Sequence, residues 1–171
     1  MSEFKDSEVL RYANECVTYD PDTGLITYKD NESVKKVLRG TVANSTYKAS
    51  GYKRIVLNKQ SFLQHRLAWL LHYGKWPEGD IDHINGKRND NRIKNIRDTS
   101  KNLNMENQRK AKVTNKTGFL GVRKRNRKAN PFNAQIKVNG KTIDLGVYKT
   151  AEEAHAAYVV AKRKYHTGCT I

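Results

Sequence analysis

The stretch from Arg109 to Thr117 is basic and polar, and its side chains repeat with neither a helical nor a strand period, so it interrupts any continuous core. An extended linker is expected there. With 171 residues and 37% apolar content, the chain is thin in core material for one large domain, and two compact units are the better solution. The charge divides along the same line. Residues 1–99 hold 17 Lys and Arg against 13 Asp and Glu, a net of +4, whereas residues 100–171 hold 16 against 4, a net of +12. The second half is the electrostatic grip, and for a protein of net charge +16 the obvious polyanion is nucleic acid.

Other classes fall away early. Cys16 and Cys169 are the only cysteines and no Cys-x-x-Cys occurs, which argues against a disulfide framework or a zinc ribbon and suits a reducing compartment. The first twenty residues carry acidic groups and no apolar core segment, unlike a secretory signal, and no run of about 18 apolar residues could span a bilayer. An intracellular, non-secreted protein without a membrane partner is expected.

The N-terminal stretch reads as strands joined by turns. Tyr19-Asp20-Pro21-Asp22-Thr23-Gly24 is dense in turn formers and Leu25 to Tyr28 has strand composition, so a hairpin is expected. Gly51 to Leu57 reads as another strand, ended by Asn58-Lys59-Gln60. Ser61 suits an N-cap for a helix from Phe62 to Tyr73, where Leu63, Leu67, Leu70 and Leu71 share a stripe and Gly74 stops the helix.

Beyond the turn Trp76-Pro77-Glu78-Gly79, Asp80 to Ile84 has the look of a short strand, and Asn85-Gly86 is a two-residue hairpin signal. A short helical turn is expected around Arg92, Ile93, Asn95 and Ile96. Thr99 or Ser100 can then cap a helix through Leu103, Asn104, Asn107 and Gln108. Asp82-His83 would lie at the strand end, a carboxylate beside an imidazole. A hard divalent cation takes oxygen ligands, and a carboxylate with an amide carbonyl leaves most positions open for water and phosphate, which makes Asp82 and Asn104 candidate ligands. Imidazole has the pKa best matched to deprotonating water near neutrality, so His83 is the candidate base. Neighbours on a strand face opposite ways, so a distortion or a strand-end geometry is needed for both to converge. Asn95 can brace the loop through its side-chain amide.

The string DHINGKRNDNRIKNIRDTSKNLNMEN, with HRLAWLLHYGKWPEG before it, resembles the His-Asn-His (HNH) endonucleases of phage and intron-borne homing enzymes; residues 61–108 carry the likeness. The resemblance implies a ββα-metal finger over about 76–108 with one divalent ion. It makes Asp82 a metal ligand, His83 the general base, Asn95 the middle brace and Asn104 the second ligand. Asn104 stands where the motif's last histidine would be, and Asn102 and Asn107 are alternative ligands close by. Oxygen-only ligation favours Mg2+ or Mn2+ over zinc. Arg66 is either part of a charged helix face or a phosphate-contacting, transition-state-stabilising catalytic group.

The basic segment supplies Arg109, Lys110, Lys112 and Lys116 as candidate phosphate contacts. After it, Gly118 to Arg123 starts a strand, Phe132 to Val138 alternates polar and apolar, Asn139-Gly140 is a hairpin turn, and Lys141 to Tyr148 returns as a third strand. Thr150 with Glu153 forms a capping box into a helix to about Tyr165, whose Ala154, Ala157, Tyr158 and Ala161 make a narrow face for packing on the sheet. The strings GVRKR, AQIK and GKTIDLGVYKTAEEAHAAY resemble the ethylene-response-factor-type (apetala-two-like) DNA-binding domain over residues 118 to about 168. That resemblance implies DNA contacts from Arg123, Arg125, Gln135 and Lys137, of which Arg can read guanine and Gln adenine. Asp144 stands where the plant domains carry a base-contacting tryptophan; it either accepts from cytosine or holds a neighbouring cation. Arg127 and Lys128 read as loop residues touching phosphates.

The expected fold class is therefore α+β: an N-terminal β-rich segment and helix leading into the finger within residues 1–108, a linker over 109–117, and a three-stranded antiparallel sheet on one helix over 118–168. The expected activity is that of a site-specific, metal-dependent homing endonuclease on double-stranded DNA, as monomer or dimer, in a host cytoplasm if the source is a phage. The competing readings are a non-catalytic DNA-binding regulator and a structure-specific or RNA-directed nuclease.

Overall fold

A computed structural model describes residues 6–46, 51–126 and 129–170. Arg127 and Lys128 lie outside the described residues, as does the side chain of Asn102. The chain divides into two compact units, Met1–Ser100 and Lys101–Ile171. The described residues form a mixed α+β architecture of small antiparallel sheets and four α-helices.

The first unit opens on a helix, α1 (Asp6–Cys16), where strands and turns were expected. Val9, Leu10, Ala13 and Cys16 fall three and four apart, and that spacing buries Ala13 and Cys16 in the core with Val17, Ile26, Ile55, Leu67 and Leu70. Asp6 and Glu8 occupy its first turn, where the helix dipole favours negative charge. Strands β1 (Val17–Tyr19) and β2 (Ile26–Tyr28) form the expected hairpin. Asp20 holds its turn by accepting from Asp22 N at 2.9 Å and from Thr23 Oγ1 at 2.7 Å.

Strands β3 (Ser45–Thr46), β4 (Lys53–Leu57) and β5 (Gln60–Leu63) form a three-stranded antiparallel sheet. The helix expected from Phe62 begins only at Gln64, and Ser61 is a strand residue rather than an N-cap. The reason is the turn: Asn58 and Lys59 both take positive φ, 45° and 64°, closing a tight hairpin that pairs Leu57 with Gln60 and Arg54 with Leu63. Helix α2 (Gln64–Tyr73) follows and ends at Gly74, whose left-handed φ of 73° lets its N–H bond Leu70 O at 2.8 Å.

Two faces of α2 are in use. Leu67 and Leu70 enter the main core, while Ala68 packs with Ile81 and Ile96. Those two isoleucines come from β6 (Asp80–His83) and β7 (Ile96–Thr99), an antiparallel pair with unbroken register from Asp80 opposite Thr99 to His83 opposite Ile96. Asn85-Gly86 makes a turn, with Gly86 N bonding His83 O at 2.8 Å, but it does not close a two-residue hairpin. The partner strand returns only at Ile96, after a loop ending in a 3-10 turn over Ile93–Asn95.

The second unit contains α3 (Lys101–Glu106), then β8 (Val122–Lys124), β9 (Phe132–Val138) and β10 (Lys141–Tyr148) in the order β10-β9-β8, and α4 (Ala151–Tyr165). Asn139 and Gly140 take the two positive φ values that the β9–β10 turn demands. Thr150 and Glu153 form both halves of the capping box. Small residues set the packing: Ala134, Ala151 and Ala154 are buried with Val122, and Tyr158 and Ala161 with Ile136. Gly121 has no room for a side chain, since a Cβ would sit 2.0 Å from the Tyr158 ring. Residues 112–119 are not an extended arm. Asn115 N bonds Lys112 O at 2.8 Å, and the Asn115 amide accepts from Thr117 N at 2.9 Å and donates to Phe119 O at 2.8 Å. Among the described residues no helix is long and apolar enough to cross a membrane.

Candidate active site

His83 is the last residue of β6 and is 4% exposed. Its Nε2 lies 3.1 Å from Asn91 Oδ1. An amide oxygen only accepts, so this contact selects the Nε2–H tautomer and puts the basic lone pair at Nδ1. The ring also meets His65 edge to face at 5.3 Å between centroids, and Tyr52 at 5.9 Å. Burial pushes the His83 pKa below the usual imidazole value, against smaller opposing effects from Asn91, Asp82 and Asp90, so the ring is neutral near pH 7. Neutral imidazole is the form that accepts a proton.

The loop between the strands is held by side-chain amides. Asn95 is 6% exposed; its Oδ1 accepts from Asn85 N at 3.0 Å and its Nδ2 donates to Asp90 O at 2.7 Å, while its own carbonyl accepts from Ile84 N at 2.8 Å. One residue thus pins both ends of the loop. Asn85 Nδ2 donates to Asp90 Oδ2 at 2.7 Å, and Arg92 clamps the same carboxylate through Nε at 2.7 Å and a terminal nitrogen at 2.6 Å. Arg92 is the main cause of a carboxyl pKa held down at about 2.

Asp82 is 6% exposed and sits directly across from Arg97, which donates to Oδ2 at 3.0 and 2.8 Å. The strand register shows no distortion between Asp82 and His83, so their convergence on one phosphate rests on His83 ending the strand. A carboxylate offers about four lone-pair sites, so an ion on Oδ1 is compatible with Arg97 on Oδ2. Among the described residues no three His, Cys, Asp or Glu side chains cluster as a metal site. The Asp82 carboxylate is an oxygen donor of the kind a hard divalent ion takes, with the rest of such an ion's shell open to water and phosphate.

Asn104 lies on α3, in the second unit, and Asn107, just past that helix, is buried. Arg66 donates to Gly79 O at 3.0 Å and lies 6.0 Å over the Trp76 ring, fixing the turn before β6. Asp98 secures the same turn by accepting from Glu78 N at 2.7 Å and Gly79 N at 2.8 Å.

Three contributors carry no signal in the motif spacing: Asn91, Gly24 and His65. Asn91, 1% exposed, orients His83, and its carbonyl accepts from Tyr19 OH at 2.8 Å. The β1–β2 turn seats the same backbone: a Cβ on Gly24 would fall 2.4 Å from Arg92 N, and Ile93 N bonds Pro21 O at 2.9 Å. His65, 5% exposed, has no partner for Nδ1 among the described residues, and its pKa is pushed down to about 3, first by burial. The motif spacing gives no signal for the Gly24 contact, because it joins residues some 70 apart in the chain.

In the second unit the strand register separates two sheet faces. Ala134 and Ile136 face α4; Asn133, Gln135 and Lys137 face away, opposite Val147, Asp144 and Thr142, with Arg123 beside Asn133. Arg123 and Lys137 are exposed and Gln135 is half-buried. Arg125 reaches across to Asn133 Oδ1 at 2.8 Å and Asp144 Oδ2 at 3.4 Å. Asp144 also accepts from Asn133 Nδ2 at 2.8 Å and Gly146 N at 2.9 Å, so its carboxylate holds a cation and a bulge. Lys110, Lys112 and Lys116 are exposed, and Arg109 donates to Thr170 O at 2.9 Å.

Residues 62–106 match the family described as HNH endonuclease, so this segment is an HNH nuclease domain, a hydrolase type whose substrate is DNA. Nucleases of this kind generally use a divalent metal. No curated protein and no solved structure matches the chain.

Proposed function

We propose that the chain is a divalent-metal-dependent endonuclease of homing type that hydrolyses a phosphodiester bond in duplex DNA, with the C-terminal sheet as its DNA reader. The observation that carries this is the buried His83 at the end of β6, its Nε2 held by Asn91 from a loop that Asn95 pins. His83 Nδ1 takes the proton of the attacking water, and Asn91 keeps the ring from turning. Asp82 and Asn104 would hold the ion, Mg2+ or Mn2+, the Asn104 assignment resting on motif order. Such an ion would supply Lewis-acid stabilisation of the charge that develops on the phosphate. Arg66 sets the turn that starts β6 and supplies positive charge near a phosphate. The products are a 3′-hydroxyl and a 5′-phosphate. One copy nicks; a double-strand break takes two copies or two events.

We read the second unit as an ethylene-response-factor-type domain, on the strings GVRKR, AQIK and GKTIDLGVYKTAEEAHAAY. We assign duplex binding to the outer sheet face with Arg123, Arg125, Gln135 and Lys137, and phosphate contacts to Arg109, Lys110, Lys112 and Lys116. The Asp82–Arg97 ion pair favours one other reading, a non-catalytic DNA-binding protein in which that carboxylate is structural. Nicking of supercoiled plasmid separates the two. A cut that needs Mg2+ or Mn2+, stops with chelator and is lost in His83→Ala supports the nuclease; duplex binding without any cut supports the regulator.

A further inference from the structure

Helix α3, which carries Asn104, is too short to be stable by itself. What holds it lies at the far end of the chain. Gly168 N donates to Glu106 Oε2 at 3.0 Å, Thr170 Oγ1 donates to Asn107 Oδ1, and Arg109 donates to Thr170 O and Oγ1 at 2.9 and 2.6 Å. Gly168 packs against the helix so closely that a Cβ there would lie 2.5 Å from Leu103 O and 3.1 Å from Glu106 Cβ. Lys162, on the last turn of α4 and 1% exposed, donates to Gln108 O.

The same tail is tied to the sheet. His166 caps α4, with its N–H on Lys162 O at 3.0 Å, and its Nε2 lies 2.9 Å from Lys137 O, at the end of β9. A carbonyl only accepts, so His166 donates. Cys169 N returns to His166 O at 3.0 Å and closes the tail into a turn. A continuous hydrogen-bonded path therefore runs from β9, through His166, Gly168 and Thr170, to the C-terminal half of α3.

We infer that residues 166–170 are a positioning strut that joins the DNA-reading sheet to the helix bearing Asn104, so that the reader sets the cutter's ligand as well as gripping the duplex. This rests on the reading of Asn104 as a metal ligand. Gly168 and Thr170 touch neither substrate nor ion in this scheme; they act through α3.

Hydrogen exchange and metal titration on the full chain test it, with Gly168→Val to wedge the contact, Thr170→Val to remove it and Thr170→Ser to keep it. Without metal, the amides of residues 103–108 exchange about tenfold faster or more in both Val variants and at the wild-type rate in Thr170→Ser. The Mg2+ or Mn2+ concentration for half-maximal nicking rises about fivefold or more in the Val variants, with duplex affinity in chelator within about twofold of wild type. Unchanged exchange at 103–108 overturns the strut, and so does faster exchange with an unmoved metal requirement. Asn104→Ala is the control: if it leaves the metal requirement unmoved, the ligand reading fails, and the exchange measurement alone then decides whether the tail holds the helix.

Discussion

The loop between β6 and β7 and the sheet of the second unit achieve fixed geometry by opposite means. In the loop, side-chain amides and one carboxylate bond to backbone that has no ladder of its own, with Asn95 and Asp90 at the centre. In the sheet, strand register sets the geometry, and alanines let α4 sit close. A polar network tolerates no change of donor or acceptor. A packed sheet tolerates polar changes on its outer face, away from Asn133 and Asp144, but not changes of volume inside. The loop should therefore lose function with its fold largely intact, and the sheet should lose its fold first.

The sharpest way to break that contrast is His83→Ala. Nicking should fall by about 10²- to 10⁴-fold, the usual reach of a positioned acid–base group, with little change in thermal midpoint. A large drop in midpoint would mean that the loop is structural like the sheet. Next in size is Ile136→Ala in the buried sheet face: a loss of about 2–5 kcal/mol, read by chemical denaturation, with duplex binding lost alongside. Asn95→Asp keeps an acceptor for Asn85 N but turns a carboxylate oxygen towards Asp90 O. About 1–3 kcal/mol is expected, with nicking reduced more than duplex binding.

Smaller effects sharpen the comparison. Replacing Arg123, Arg125 and Lys137 together should lower the salt slope of duplex binding by up to about 3, near 0.9 for each phosphate no longer neutralised. Thr150→Ala should cost about 1 kcal/mol through the cap. The site, in both the loop and the adjoining helix α2, should also show in the pH dependence of stability. His65 is held neutral with its pKa near 3 against an ordinary 6.5, so stability is complete above 6.5 and declines as pH falls from there towards 3. Asp90, held near 2, adds stability above the ordinary carboxylate range that disappears as pH falls through 2. His65→Phe should flatten the upper of these two windows in a thermal midpoint series, and an unaltered slope would remove His65 from the account.

Much of the frame is legible in the residues. Tyr19 to Gly24 and Asn139-Gly140 mark hairpins, and Thr150 with Glu153 marks the start of α4, because turn φ values and cap hydrogen bonds are local. Asp82 and His83 can be placed at the end of a strand for the same reason. Asn58-Lys59 hides its turn, since two positive φ values at non-glycine residues make β5 of an expected helix start. Asn85-Gly86 signals a hairpin that the chain does not close, because the bonds from Asn95 to Asn85 and Asp90 hold the loop open until Ile96.

By itself the sequence determined the order of elements in the second unit, the basic second half and the residue types offered for chemistry, all of which follow from composition and short-range spacing. Only the tertiary structure decided that Asn91 selects the tautomer of His83, that Arg97 holds Asp82, that Gly24 must be bare to seat the 91–93 backbone, and that the tail supports α3. Each of those is a contact between groups whose partner is fixed by packing, and nothing in the spacing of either partner announces the other.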